Sequence, residues 1–122
     1  MELLDLMKNR RNIRKYREKT VPLEKIYSVL DAGRYAPSGA NQQPWTYILV
    51  TDTTLKRQIR SDAEKVEARY HETVPSQLQE WFKRQGITPA KPFLTDAPAL
   101  IVVAGDTKAP YWLESTWISI AY

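Results

Sequence analysis

Only two stretches of this 122-residue chain read as β-strand, and no other feature limits its fold as much. Residues 45–51, Trp45-Thr46-Tyr47-Ile48-Leu49-Val50-Thr51, are rich in aromatic and β-branched side chains. Residues 98–105 form a continuous apolar run, the pattern of a strand buried on both faces. The rest of the periodic sequence is helical. Leu3, Leu4 and Met7 predict a short helix over residues 2–9. Leu23, Ile26, Tyr27 and Leu30 line a helix that opens at Pro22 and stops at Gly33. Asp52 or Thr53 caps a long helix with Leu55, Ile59, Val66 and Tyr70 on its apolar face. A shorter helix through Leu78, Trp81 and Phe82 ends at Gly86, residues 87–97 read as a loop, and a last helix opens at Pro110. This order predicts a layered α+β (α/β) fold, a central sheet flanked by helices. Two strands do not make a stable sheet by themselves. Residues 1–122 are therefore read as one domain, the amino-terminal part of a longer protein, with a C-terminal segment or a partner chain completing the sheet.

Composition narrows the chemistry. With 43% hydrophobic and 26% charged residues, the chain has the balance of a packed domain rather than a disordered one. No run of about eighteen apolar residues occurs, so no membrane partner is expected. Met1-Glu2-Leu3-Leu4-Asp5 lacks the basic flank and apolar core of a signal peptide, which sets a cytoplasmic location as the expectation. There is no cysteine, which removes disulfides, thiolate nucleophiles and iron–sulfur ligation together. A single histidine, His71, rules out a multi-histidine metal site; no metal is expected, and His71 itself reads as a helix-surface residue.

The net charge of +4 is unevenly spread. From Lys8 to Lys19 stand seven bases and one acid, a net of +6, while the remaining 11 bases and 13 acids net −2. One anionic contact fits that distribution better than a basic surface overall. Within it, Arg10, Arg11 and Arg14 flank Asn12 and Ile13; guanidiniums so closely spaced can grip a phosphate through paired, charge-assisted hydrogen bonds. A solvated basic face would look the same. A second stretch is more informative. Residues 36–45 are small, polar and bracketed by Pro37 and Pro44, just ahead of a strand. Prolines restrict the flanking backbone, Gly39 would let a planar ligand approach the main chain, and Ser38, Asn41 and Gln43 supply the donors and acceptors a heterocycle edge needs. An ordinary helix-to-strand turn is the competing reading.

Taken together, Arg10-Arg11-Asn12-Ile13-Arg14 and Pro37-Ser38-Gly39-Ala40-Asn41-Gln42-Gln43-Pro44-Trp45 resemble the two amino-terminal signatures of the nitroreductase superfamily of FMN flavoproteins. The resemblance implies a homodimer with FMN at the subunit interface. It implies that Arg10, Arg11, Asn12 and Arg14 of one subunit hold the flavin phosphate and ribityl chain, and that Pro37, Ser38, Gly39 and Asn41 of the other pack on the isoalloxazine, with Gln43 a further flavin contact. Asn12 stands where most members have serine. The implied activity is a ping-pong, two-electron reduction in which NADH or NADPH gives hydride to the flavin and a nitroaromatic, quinone or related small molecule then takes it. In this chemistry the cofactor does the redox work and no catalytic side chain is assigned. An alternative comes from residues 64–85, where Glu67, Tyr70 and Lys83 resemble the lid of iodotyrosine-deiodinase-like members, which implies reductive dehalogenation of a halotyrosine held by its ammonium and carboxylate. The spacing here is shorter than in that branch. A rival of another class is a non-enzymatic basic module that binds nucleic acid through residues 8–19. No recognised nucleic-acid motif supports that rival, and no nucleic-acid partner is expected.

Overall fold

The structure is a computed structural model that describes residues 2–122; Met1, at the head of the signal-peptide argument, lies outside them. In chain order the elements are helix α1 (Leu3–Asn9), helix α2 (Leu23–Arg34), strand β1 (Trp45–Val50), helix α3 (Thr53–Thr73), helix α4 (Ser76–Gln85), helix α5 (Phe93–Asp96), strand β2 (Leu100–Gly105) and helix α6 (Trp112–Ala121). Local chemistry sets their ends. Asp52 accepts the Leu55 N–H at 2.6 Å and caps α3. Gly86 closes α4, where the Gly86 and Ile87 N–H groups return to the carbonyls of Lys83 and Phe82. The stretch 87–97 departs from the loop reading by forming α5, a single turn. That turn is fixed from outside: the buried Lys56 ammonium donates to the carbonyls of Ala97 at 2.6 Å and Thr95 at 3.3 Å. These are carbonyls that a helix end leaves without a partner.

β1 and β2 pair antiparallel, from Trp45 opposite Gly105 to Val50 opposite Leu100, although α3, α4 and α5 lie between them in sequence. α6 packs across both strands and against α2. At the α2–α6 crossing a Cβ on Gly33 would stand 2.6 Å from the Tyr47 hydroxyl and 3.3 Å from the Ser119 carbonyl, so any other residue would have to displace the Tyr47 side chain. The junction is polar: the Ser119 hydroxyl donates to the Gly33 carbonyl at 3.2 Å and also bonds the Tyr47 hydroxyl.

α6 is inverted relative to an ordinary surface helix. Ser115, Thr116 and Ser119 face inward and are buried, while Leu113, Trp117, Ile118 and Ile120 are exposed. β2 is also more open than its apolar sequence suggests, with Ile101 and Val102 at 39% and 40% exposure. Among the described residues the buried hydrophobic core comes down to Ile26, Ala36, Trp45, Val50 and Ala97. An apolar cleft of about 350 Å³, between α2, the sheet and the end of α6, is lined by Leu30, Tyr47, Val103 and Ile120 among others. The apolar residues of β2 and α6 thus have the composition of a core without its cover.

Candidate functional site

The loop between α2 and β1 is held in a strained backbone. Ala40, Asn41 and Gln43 have φ of 50°, 52° and 48°; Tyr111, at the start of α6, has φ of 56°. These are the described non-glycine residues in the left-handed region, and such conformations cost roughly 1–2 kcal/mol each. A dense local network offsets the cost. The Ser38 hydroxyl accepts the Gln43 N–H at 3.0 Å, the Ser38 carbonyl accepts the Asn41 N–H at 3.0 Å, and the Gly39 N–H donates to the buried Ser115 hydroxyl at 3.1 Å. The Gln43 amide nitrogen donates to the Asn41 side-chain oxygen at 3.0 Å. The Asn41 side-chain nitrogen and the Gln43 side-chain oxygen keep no partner among the described residues, leaving one donor and one acceptor at the loop surface.

Gly39 has a role different from the one its sequence suggests. A Cβ there would stand 2.6 and 2.7 Å from Cβ and Cγ of Tyr111. The space that the missing side chain leaves is taken by the Tyr111 ring. Tyr111 and Ser115 together lock the loop to the first turn of α6, and no sequence motif pointed to either.

The basic arm runs without regular structure from the end of α1 to Pro22 and is exposed throughout. Arg10 donates to the Asn12 side-chain oxygen at 2.9 Å, and Arg11 donates to the carbonyls of Lys8 and Arg10 at 2.8 Å. Among the described residues none of the seven bases from Lys8 to Lys19 forms an ion pair. The arm therefore holds uncompensated guanidiniums in the donor set a phosphate monoester needs. No hydrogen bond joins it to the 37–43 loop among the described residues, so the two predicted halves of a flavin site are not brought together within one chain.

A third cluster lies where α3 meets α4 and the segment before α5. Glu67 and Tyr70 share a face of α3, one turn apart. Lys83 is exposed on α4, next to Phe82, whose ring centroid is 6.4 Å from that of Tyr70. The base that meets Glu67 is Lys91, with its ammonium 3.4 Å from Oε2. Lys91 is placed by Glu64, whose carboxylate accepts the Lys91 backbone N–H at 2.6 Å and the Arg60 guanidinium at 2.7 Å. Arg60 in turn donates to the Thr95 hydroxyl at 2.9 Å. The Lys91 N–H, and after it Arg60, hold the Glu64 carboxyl below its ordinary range. His71 is not the surface residue its sequence position suggests: its side chain is 16% exposed, and its ring stacks on Phe82 at 4.4 Å and 21°. The Glu67–His71 spacing of four residues was visible in the sequence; Lys91, between two prolines, carried no signal. Among the described residues no group of three or more His, Cys, Asp or Glu is placed to hold a metal, and no helix is long and apolar enough to cross a membrane.

This layered α+β chain, with a locked Pro-Ser-Gly loop and a free arginine arm, belongs to the Nitroreductase family, whose profile matches residues 7–119. Over 120 residues it is 40% identical to the iodotyrosine deiodinase of Thermotoga neapolitana, covering 98% of this chain and 64% of that protein. It is 39% identical over 103 residues to the iodotyrosine deiodinase of Haliscomenobacter hydrossis, of which it spans 46%. A crystal structure of oxidized iodotyrosine deiodinase bound to FMN and 3-iodo-L-tyrosine superposes with a TM-score of 0.91 at 40% identity, covering 99% of this chain and 66% of the other. An FMN-bound nitroreductase from Bacteroides fragilis matches with a TM-score of 0.71 at 25% identity, covering 99% and 61%. The chain thus spans about half to two thirds of the length of these two curated relatives.

Proposed function

We propose that the chain is the FMN-binding and lid-bearing part of a reductive dehalogenase that removes halide from halotyrosines, working as a homodimer with one flavin at each shared site. The observation that carries this reading is the likeness to the deiodinase bound to FMN and 3-iodo-L-tyrosine, which extends over 99% of the chain and so takes in α3, α4 and Lys91 as well as the two signature segments. The dehalogenase alternative is thereby better supported than nitroaromatic or quinone reduction, the first expectation from sequence.

The residues fit the cofactor. Arg10, Arg11 and Arg14, with Asn12, offer an unpaired cationic cradle for the FMN phosphate and ribityl chain. Pro37, Ser38, Gly39, Asn41 and Gln43 form a rigid edge with one free amide donor and one free acceptor for the ring. Bound FMN would supply two electrons, which with one proton exchange a carbon–halogen bond for carbon–hydrogen and release halide. Reduced nicotinamide, NADH or NADPH, is the proposed source of those electrons. The protein's own part is to hold the amino acid head. Glu67 takes the ammonium and Lys91 the carboxylate, each exchanging its present partner for one end of the ligand, while Tyr70 offers a hydroxyl beside them. Lys83, the base expected from sequence, would meet the carboxylate only from the exposed side of α4.

The test is an anaerobic single turnover with the flavin reduced beforehand. Adding 3-iodo-L-tyrosine is expected to reoxidise the flavin and release one iodide per flavin. If a nitroaromatic reoxidises the flavin while iodotyrosine leaves it reduced, the nitroreductase reading replaces this one.

A further inference from the structure

We infer that His71 is a positioning residue for Glu67 and makes the binding of an ammonium-bearing ligand depend on pH. The inference rests on the halotyrosine reading and adds a residue to it. The imidazole is fixed on two sides, stacked on Phe82 from α4 and met edge-on by Tyr70 at 6.4 Å and 64°. Its Nε2 is buried and makes no hydrogen bond among the described residues. Yet it stands 3.4 Å from Oε1 of Glu67, close enough for an ion pair but out of line for a hydrogen bond. The charged groups around it are few. From α3 comes Glu67, with the Tyr70 phenol beside it; α4 offers the apolar Phe82 ring; from the segment before α5, Lys91 reaches the far oxygen of Glu67 at 3.4 Å.

A neutral imidazole leaves the Glu67 charge available to Lys91 and to an incoming ammonium. A protonated one gains a second N–H and a positive charge beside the same carboxylate, in a half-buried setting where charges are weakly screened. Glu67 then has a second cation beside Lys91, and the ligand's ammonium meets both a neutralised acid and a like charge. Acid should therefore weaken binding. By reciprocity, a bound ammonium should oppose protonation of His71.

His71 is the only histidine in the chain, so its imidazole proton signals can be assigned by comparing the protein with its His71→Gln variant. We would follow those signals through a pH titration of the FMN-loaded protein, alone, with saturating 3-iodo-L-tyrosine, and with 2-iodophenol. The expected result is a titration midpoint about one pH unit lower with iodotyrosine, a tenfold coupling, and an unmoved midpoint with iodophenol, which has no ammonium. Binding titrations should agree: as pH falls from about 8, the loss of iodotyrosine affinity should be greater in the parent than in His71→Gln, approaching tenfold once the imidazole is protonated in both free and ligand-bound protein. The ligand's own phenol titration is common to both proteins and cancels. Iodotyrosine that binds without moving the midpoint overturns this inference and leaves the halotyrosine reading intact. Iodotyrosine that fails to bind at any pH overturns both. The signal titration uses the unaltered protein, so it decides the matter even if the variant does not fold.

Discussion

Replacing Arg14 with Ala is expected to weaken FMN binding by about 1.5–3 kcal/mol, the worth of a hydrogen bond to a charged group. Unfolding should be almost unchanged, because Arg14 is exposed and its side chain makes no hydrogen bond or ion pair among the described residues. A fluorescence titration of the apoprotein with FMN measures the first, and a urea melt the second. Gly39 makes a sharper case. Gly39→Ala would set a methyl against the Tyr111 ring and should cost about 1–3 kcal/mol of stability, as overpacking does. Because the clash is with one side chain, its Cβ included, Tyr111→Gly in the same protein should restore much of that loss. A double-mutant cycle in urea that finds the two costs additive would mean the loop does not lean on Tyr111. At this scale the sequence told which residues to watch and misjudged what some of them touch. Pro37 to Gln43 could be picked out because prolines, glycine and amides together are locally unusual. That Gly39 serves Tyr111, 72 positions away, follows from how α6 crosses the sheet, and no local pattern encodes it.

Among the elements, α3 and the segment leading to α5 behave as a unit because Glu64 accepts from Arg60 on its own helix and from the Lys91 backbone across the gap. A carboxyl held below its ordinary value of 4.5 stabilises the fold at pH above that value. The contribution is lost as pH falls from there through the lowered value. Glu64→Gln is therefore expected to reduce stability near neutral pH and to flatten the acid side of the stability curve between about pH 5 and the lowered value. Urea midpoints at a series of pH values would show it; parallel curves for parent and variant would contradict the assignment. Both strands and the four longer helices were legible from periodicity, caps and breakers, with ends off by a residue or two. α5 was not, because a single turn has too few residues for a period and is made by the Lys56 ammonium reaching over from α3. Lys91 was missed for the same reason: its place is set by Glu64, not by its neighbours in sequence.

For the whole molecule, the inward serines and outward apolar residues of α6 argue for a cover. Trp117 is 64% exposed in the chain alone. If α6 lies in a dimer interface, Trp117→Ser should weaken dimerisation by about 2 kcal/mol or more, as expected for a large buried side chain. If that face is solvated, the change should stay within about 0.5 kcal/mol. Sedimentation at several concentrations separates the two, and a flavin-loaded monomer would defeat the shared site. A need for a cover was legible in the count of strands; what supplies it could not be read, because the residues that would touch α6 are not among those facing it here. In the proposed function this fold holds an amino acid by its charged head beside a flavin. The most direct test is a pair of titrations that follow quenching of flavin fluorescence in the oxidised protein, one with 3-iodo-L-tyrosine and one with 2-iodophenol. The two ligands share ring and halogen and differ in the ammonium and carboxylate, which would meet Glu67 and Lys91 in a poorly hydrated site. Binding of iodotyrosine at least roughly tenfold tighter is the expected result. Equal or tighter binding of iodophenol would contradict it.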